Sequence, residues 1–195
     1  MGSDPDCERP FFFAKPADSL VPNWGTLAFP AQTRDFHHEV ERAVAIGSDG
    51  RNLSPEAAWS HIYGYAVALD MTRRDLQAQA KRDARSWEIG KAFDESCPIG
   101  QLVAASDVGA LRTGAIELHV NGRLRQSGDL AGTISSAVEC ISVLSLSLTV
   151  RRGDLILTGT RAGLGPVQLE DWLEASIGGL PGLSVAYVEK SCLPC

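Results

Sequence analysis

Five consecutive residues, His-His-Glu-Val-Glu at positions 37–41, carry the side chains with the clearest chemical potential. They run on into Ala-Val-Ala-Ile at 43–46, a pattern that predicts a strand. Because alternate residues of a strand point to one face, Glu39 and Glu41 are expected side by side, with His37 on the same face. Two carboxylates held this close raise at least one pKa, and a hard divalent cation would relieve their repulsion. The other interpretation is a solvated edge strand with ordinary surface glutamates.

A second predicted strand, at residues 63–70, favours the cation. Its residues alternate between bulky side chains on one face and small side chains on the other, and the small face ends at Asp70. A face kept small up to a carboxylate leaves room for a bound group at that carboxylate. The alternative is close packing on a neighbouring strand, with Asp70 simply capping the next element. That element is predicted to be a helix, with Thr72 as its N-cap and Asp75 three residues on.

Polar and cationic side chains follow Asp70 at helical spacing. Arg74, Gln77 and Lys81 are expected on one face of the predicted helix, although a solvated face would show the same spacing. Further on, Lys91 stands between a glycine and an alanine, close to aromatic residues. It is either a buried cation that meets an anionic ligand or a lysine that reaches out to water.

The rest of the sequence is rich in predicted strands and poor in helices. Ser54-Pro55-Glu56 predicts a helix start, and Asn121-Gly122 predicts a type I′ turn between two strands of a hairpin. Other strands are predicted at residues 11–14, 155–158, 172–177 and 183–188, and a helix within 134–148. The glycine-rich stretch after the strand at 155–158 could turn backbone amides toward a ligand.

Length and composition bound the class of protein. The 195 residues predict one domain, residues 1–195, that can bury a real core. The net charge of −6 argues against nucleic acid as a partner, and no apolar run is long enough for a membrane span, so we expect a cytoplasmic protein. The five cysteines suggest no disulfide framework. For Cys192 and Cys195, a C-x-x-C pair at the end of the sequence, we expect no functional role.

Several blocks of this sequence closely resemble the fumarylacetoacetate hydrolase family, nearest to its single-domain acylpyruvate and fumarylpyruvate hydrolases. The resemblance extends over about residues 9–188 and is carried by the blocks at 13–16, 37–41, 64–77, 90–94 and 157–160. It implies an α+β fold, mainly β, built as a rolled mixed β-sheet like the C-terminal domain of fumarylacetoacetase. It also implies a homodimer.

The resemblance further implies roles for individual residues. Glu39, Glu41 and Asp70 would hold Mg²⁺ or Mn²⁺, with Ca²⁺ also possible. The residues implied to contact substrate, with Lys91 also catalytic, are Arg74, Gln77, Lys91 and Thr160.

The activity implied is metal-dependent hydrolysis of a carbon–carbon bond in a small diketo acid, an acylpyruvate, with fumarylpyruvate as the leading substrate. In this interpretation the metal acts as a Lewis acid on the keto acid end, and Lys91 helps to stabilise the leaving carbanion as an enolate. One alternative is an oxaloacetate decarboxylase, or a hydratase or isomerase, on the same scaffold. Another is a metal-binding remnant without turnover.

The sequence departs from the family pattern in three respects. The family has a His-x-x-Glu dyad that activates water, and its motif would precede Met1 here. Arg161 stands where the family has proline, and Arg42 stands on a presumed core face where the family has an aliphatic residue. These departures lead us to expect a truncated or mis-started reading frame, or a degenerating copy.

Overall fold

Strands dominate the computed structural model of this chain, which describes residues 10–22, 25–159 and 163–189. The strands are β1 (Leu20–Pro22), β2 (Gly25–Ala28), β3 (Phe36–His38), β4 (Val40–Ile46), β5 (Ile62–Leu69), β6 (Thr72–Arg73), β7 (Cys97–Ile99), β8 (Val103–Ala104), β9 (Ala115–Val120), β10 (Arg123–Asp129), β11 (Leu155–Leu157), β12 (Gly165–Pro166), β13 (Trp172–Ile177) and β14 (Leu183–Val188). The helices are α1 (Pro55–Ala58), α2 (Arg74–Arg82), α3 (Glu88–Lys91), α4 (Ala105–Val108) and α5 (Ala137–Ser147).

Three sheets form the framework. One sheet has the order β1-β7-β5-β4-β11, with β8 also paired to β5; the second has the order β10-β9-β13-β14-β2. A small third sheet, β12-β3-β6, lies at the start of the segment that carries Glu39. Two strand pairs are parallel, β1 with β7 and β14 with β2, and the other pairs are antiparallel. The predicted α+β fold, mainly β and built of mixed sheets, is confirmed.

The pairing of β4 with β5 explains the alternation seen in the sequence. Glu41 lies opposite Ala68, and the next two pairs on that face join Ala43 to Ala66 and Ala45 to Gly64. A Cβ at Gly64 would lie 2.1 Å from the carbonyl oxygen of Val103 in β8, so this face can carry no larger residue there. The small face of the two strands is therefore the face on which Glu41 sits.

The opposite, bulky face is divided between two core clusters. Val40, Val67 and Leu69 pack with the inner face of the β10-β9-β13-β14-β2 sheet, whereas Val44 and Tyr65 pack with α5 and its neighbours. Arg42 lies between them on this face, only 3% exposed. The predicted placement of Arg42 on a core face is confirmed.

Most local signals in the sequence are confirmed. Ser54 caps α1 by accepting a hydrogen bond from the Ala57 amide. The Asn121-Gly122 turn has positive φ at both residues, 52° and 71°, and joins β9 to β10. The antiparallel pair β13–β14 is present at the predicted residues.

Two local predictions are wrong. Residues 11–14 form no strand, and the Phe11 side chain is 67% exposed, its ring packed on Trp87. Thr72 does not cap α2: it belongs to β6, and its hydroxyl donates to the Asp70 carbonyl oxygen. For Phe11, a contact distant in sequence overrides the local signal, since an aromatic side chain packs well on the Trp87 ring. For Thr72, the pairing of β6 with β3 places the residue in a strand, and its hydroxyl finds an acceptor two residues back.

Among the described residues, no helix is long and apolar enough to cross a lipid bilayer. The single domain spanning residues 1–195 stays a prediction.

Candidate metal centre

Three buried carboxylates meet at one end of the β4–β5 pair. Glu39, Glu41 and Asp70 each offer an oxygen, and these oxygens all lie within 4.8 Å of one another. The three residues are 7%, 4% and 2% exposed. Burying like charges this close together costs free energy unless cations compensate them.

The strands explain how residues 29 positions apart in sequence come together. Glu41 lies in β4 and Asp70 directly follows β5, whose last residue, Leu69, pairs with Val40. The Asp70 amide donates to the Glu39 carbonyl oxygen at 2.9 Å, which ties the backbones of these two residues to each other. Glu39 itself lies between β3 and β4, where the chain passes from the small sheet to the large one.

That passage corrects one expectation about the 37–41 stretch. It is two strands rather than one, so His37 does not join the carboxylates. Instead its Nε2 lies 2.7 Å from Asp35 Oδ1.

Cationic side chains surround two of the three carboxylates. Lys91 Nζ donates to Glu39 Oε2 at 3.0 Å and to Asp70 Oδ2 at 2.5 Å, and the Arg74 guanidinium donates to Glu39 Oε1. Lys15 Nζ lies 3.0 Å from Asp70 Oδ1. Three cations therefore neutralise the carboxylates from outside the cluster.

Glu41 differs from its two neighbours, because its hydrogen-bond partner is a backbone amide: Gly159 N–H donates to Oε2 at 2.6 Å. Burial raises the pKa of Glu41 to about 8, and the charges of Asp70 and Glu39 add to the rise. Asp70 Oδ1, by contrast, has the Lys15 amine as its ion-pair partner. A buried carboxylate that no described cationic side chain contacts fits a hard divalent ion, which takes oxygen ligands.

The structure brings most of the predicted substrate residues to this cluster. Arg74 opens α2, and its Nη1 donates to Oε1 of the buried Gln77 at 2.7 Å. Lys91 ends α3 and is 2% exposed, so it is a buried cation rather than one that reaches to water. Thr160 and Arg161 lie outside the described residues. Lys81 is not part of the cluster: its amine lies 4.4 Å from the centre of the Trp87 ring.

Sequence reasoning assigned no role to Lys15, although the block at 13–16 contains it. Its amine contacts Asp70 and donates to the Met71 and Ser96 carbonyl oxygens and to the Lys91 carbonyl oxygen. Burial lowers the pKa of this amine, and Asp70 opposes that effect. The neighbouring sequence shows only a lysine between an aromatic run and a proline. That pattern does not predict which residues the lysine contacts.

The two described cysteines are not candidates for chemistry. Cys97 and Cys140 are buried and free, and burial raises their pKa values to about 12 and about 11. Thiols that stay protonated are poor nucleophiles and poor ligands. Cys192 and Cys195 lie outside the described residues.

Comparison with known proteins agrees with this geometry. A family model described as the fumarylacetoacetate (FAA) hydrolase C-terminal domain matches residues 2–186. The chain is 38% identical to the fumarylpyruvate hydrolase of Ralstonia sp over 93% of this chain and 94% of the relative. It is 38% identical to the mitochondrial oxaloacetate tautomerase FAHD1 of Homo sapiens, over 93% of this chain and 82% of the relative.

Among solved structures, the fumarylpyruvate hydrolase of Pseudomonas aeruginosa in complex with Mn²⁺ and pyruvate superposes with a TM-score of 0.93. The two are 47% identical, over 97% of this chain and 83% of that one. With the family model matching nearly the whole chain and relatives this similar, the chain belongs to the fumarylacetoacetate hydrolase family.

Proposed function

We propose that this protein is a metal-dependent hydrolase that cleaves an acylpyruvate, with fumarylpyruvate as the leading substrate, to a carboxylic acid and pyruvate. One observation carries the proposal: a buried carboxylate triad, flanked by Arg74 and Lys91, in a chain similar to a fumarylpyruvate hydrolase solved with Mn²⁺ and pyruvate. The homodimer and the cytoplasmic location expected from the sequence belong to the same proposal. Their support is the family resemblance and the composition.

In this proposal Glu39, Glu41 and Asp70 hold Mg²⁺ or Mn²⁺. The bound ion supplies Lewis-acid polarisation of the substrate's keto acid end. With a divalent ion added to three carboxylates and three cations, the site carries a net positive charge. Such a charge suits an anionic substrate.

The chain's own residues bind and orient that substrate. Arg74 offers planar paired donors that match a carboxylate, and Gln77 fixes the guanidinium by accepting its Nη1–H. Lys91 presents an ammonium group where negative charge develops on the pyruvate half. The Phe13 ring lies 5.0 Å from Lys91 Nζ and shields that amine from water on one side.

The bonds that change are simple to follow. Water adds its oxygen to the acyl carbonyl carbon, and the bond from that carbon to the neighbouring methylene breaks. The methylene keeps the electron pair and takes a proton, which yields pyruvate, while the acyl group leaves as a carboxylic acid.

A substrate panel tests the proposal. The protein with Mn²⁺ is mixed with fumarylpyruvate, acetylpyruvate or oxaloacetate, and the diketo acid ultraviolet band and released pyruvate are followed. We expect both acylpyruvates to be consumed, activity to stop with a chelator and return with Mn²⁺, and Asp70→Asn to abolish turnover. Glu174→Gln, an exposed carboxylate on β13, is the matched control and should leave turnover unchanged.

Oxaloacetate is the second candidate substrate, because the chain is also 38% identical to an oxaloacetate tautomerase. Oxaloacetate offers the same keto acid end to the metal and to Arg74. Consumption or tautomerisation of oxaloacetate, with both acylpyruvates untouched, would contradict the leading proposal in favour of this one.

A further inference from the structure

The backbone around Glu39 is held from outside its own sheets by one side chain. Gln126, on β10, accepts a hydrogen bond from the Val40 amide through Oε1 at 3.1 Å. The imidazole of His38 also hydrogen-bonds to the Gln126 side chain. The residues immediately before and after Glu39 therefore both contact the same carboxamide.

The position of Gln126 is unusual for its strand. The other six residues of β10 are exposed, whereas Gln126 is 3% exposed. The pairing of β10 with β9 shifts register between Leu124 and Gln126, which marks a bulge. Bulges change the direction of side chains and are common next to functional sites. Here the bulge lies directly before Gln126, whose carboxamide is buried against the start of β4. A buried carboxamide is costly unless it is hydrogen-bonded, so its contacts to His38 and Val40 account for its presence.

Glycines on a later segment leave room for this arrangement. A Cβ at Gly163 would lie 3.0 Å from Cα and Cγ of Gln126, and one at Gly165 would lie 3.1 Å from Nε2 of His38. Gly165 also pairs with His38 between β12 and β3. The side chain of Gln126 and the ring of His38 are thus closely packed, which leaves them little freedom to move.

We propose that Gln126 is a positioning residue for the metal ligand Glu39. Glu39 lies between β3 and β4, which belong to different sheets, so it is not part of either strand. By fixing the residues on either side, Gln126 keeps the Glu39 carboxylate beside Asp70, Lys91 and Arg74. This inference rests on the proposed function, since it assumes that the triad holds a cation.

Calorimetric titration of Mn²⁺ into the purified full chain tests the inference. Gln126→Met keeps the length of the side chain and removes its hydrogen bonds. We expect the dissociation constant for Mn²⁺ to rise about 10–100-fold, the range seen when the partners that orient metal ligands are removed. If the Met variant does not fold, Gln126→Asn keeps an amide but withdraws it from His38 and Val40, and the same loss is expected.

Two controls separate positioning from general stability. Ser127→Ala changes the exposed neighbour on β10 and should leave Mn²⁺ affinity within about twofold of wild type. Val138→Ala weakens the α5 core cluster away from the triad, so it lowers the melting temperature but should keep Mn²⁺ affinity. Wild-type Mn²⁺ affinity in the Gln126 variant, or an equal loss in Val138→Ala, would overturn the inference. No Mn²⁺ binding by the wild type would instead overturn the proposed function.

Discussion

Lys91 contacts two members of the carboxylate cluster, because its amine is shared between Glu39 and Asp70. This amine bridges the two buried carboxylates, while Arg74 pairs with Glu39 and Lys15 with Asp70 on their other oxygens. In the proposed metal-bound state the carboxylates gain another cation, and the amine would become available to the negative charge of a substrate. One lysine can therefore stabilise the metal-free fold and take part in the reaction.

Lys91→Met separates these two roles. The substitution leaves three buried carboxylates with two cations, Lys15 and Arg74. Loss of a buried ion-pair partner costs up to about 3–5 kcal/mol, so the metal-free variant should unfold at lower urea concentration than the wild type. Because Mn²⁺ would replace the missing cation, it should stabilise the variant more than the wild type. Arg82→Met, which replaces an exposed cation on α2, is the control and should change neither value by more than about 0.5 kcal/mol. Equal metal-free stability of Lys91→Met and wild type would contradict this account.

The helices α2 and α3 set the distance between the residues proposed to contact substrate. Arg74 and Gln77 belong to α2 and Lys91 ends α3, and the two helices meet at Gly90. A Cβ on Gly90 would lie 2.9 Å from the Gln77 amide nitrogen. Since backbone cannot move aside as a flexible side chain can, α3 would have to shift away from α2.

Gly90→Ala should therefore damage both stability and activity. Overpacking of this kind costs about 1–3 kcal/mol, and a displaced Lys91 should lower kcat/KM for the best acylpyruvate by at least about tenfold. Gly132→Ala, where a Cβ meets open space, is the matched control and should change neither. A Gly90→Ala protein with wild-type urea midpoint and kcat/KM would show that the helices tolerate the extra methyl group.

One charged side chain, Arg42, is buried inside the core of the molecule. Arg42 lies between the two core clusters; Nη1 donates to the Leu111 carbonyl oxygen at 2.6 Å, while Nε has no partner. No described carboxylate forms an ion pair with it. Burial lowers the pKa of this guanidinium, because taking the charged form out of water costs free energy.

Arg42→Met should make the protein more stable. Replacing a buried charge by an apolar side chain of similar length removes the desolvation cost and joins the two clusters, for a gain of about 1–2 kcal/mol. The measurement is the urea midpoint at constant m-value, with the exposed Arg123→Met on β10 as control. A lower midpoint for Arg42→Met would mean that the bond to Leu111 outweighs the cost of burying the charge.

Patterns that depend on neighbouring residues could be predicted from the sequence. The alternation in β5 identified Asp70 and the small face, the Asn-Gly pair identified the hairpin, and Ser54 identified the start of α1. The spacing of Glu39 and Glu41 also predicted a raised pKa for one of them; burial is the largest cause of the rise at Glu41, and the neighbouring carboxylates add to it. Each of these follows from strand periodicity, turn geometry or capping, which act over a few residues.

Tertiary structure alone decided which distant groups meet the carboxylates. Lys15 and Gln126 reach the Glu39–Asp70 region from segments remote in sequence, and neither carries a local signal for that contact. The break between β3 and β4 at Glu39, which separates His37 from the cluster, likewise depends on which sheet each strand joins. Such contacts follow from the packing of whole sheets, because the partner of a side chain far along the chain is set by topology and not by its neighbours in sequence.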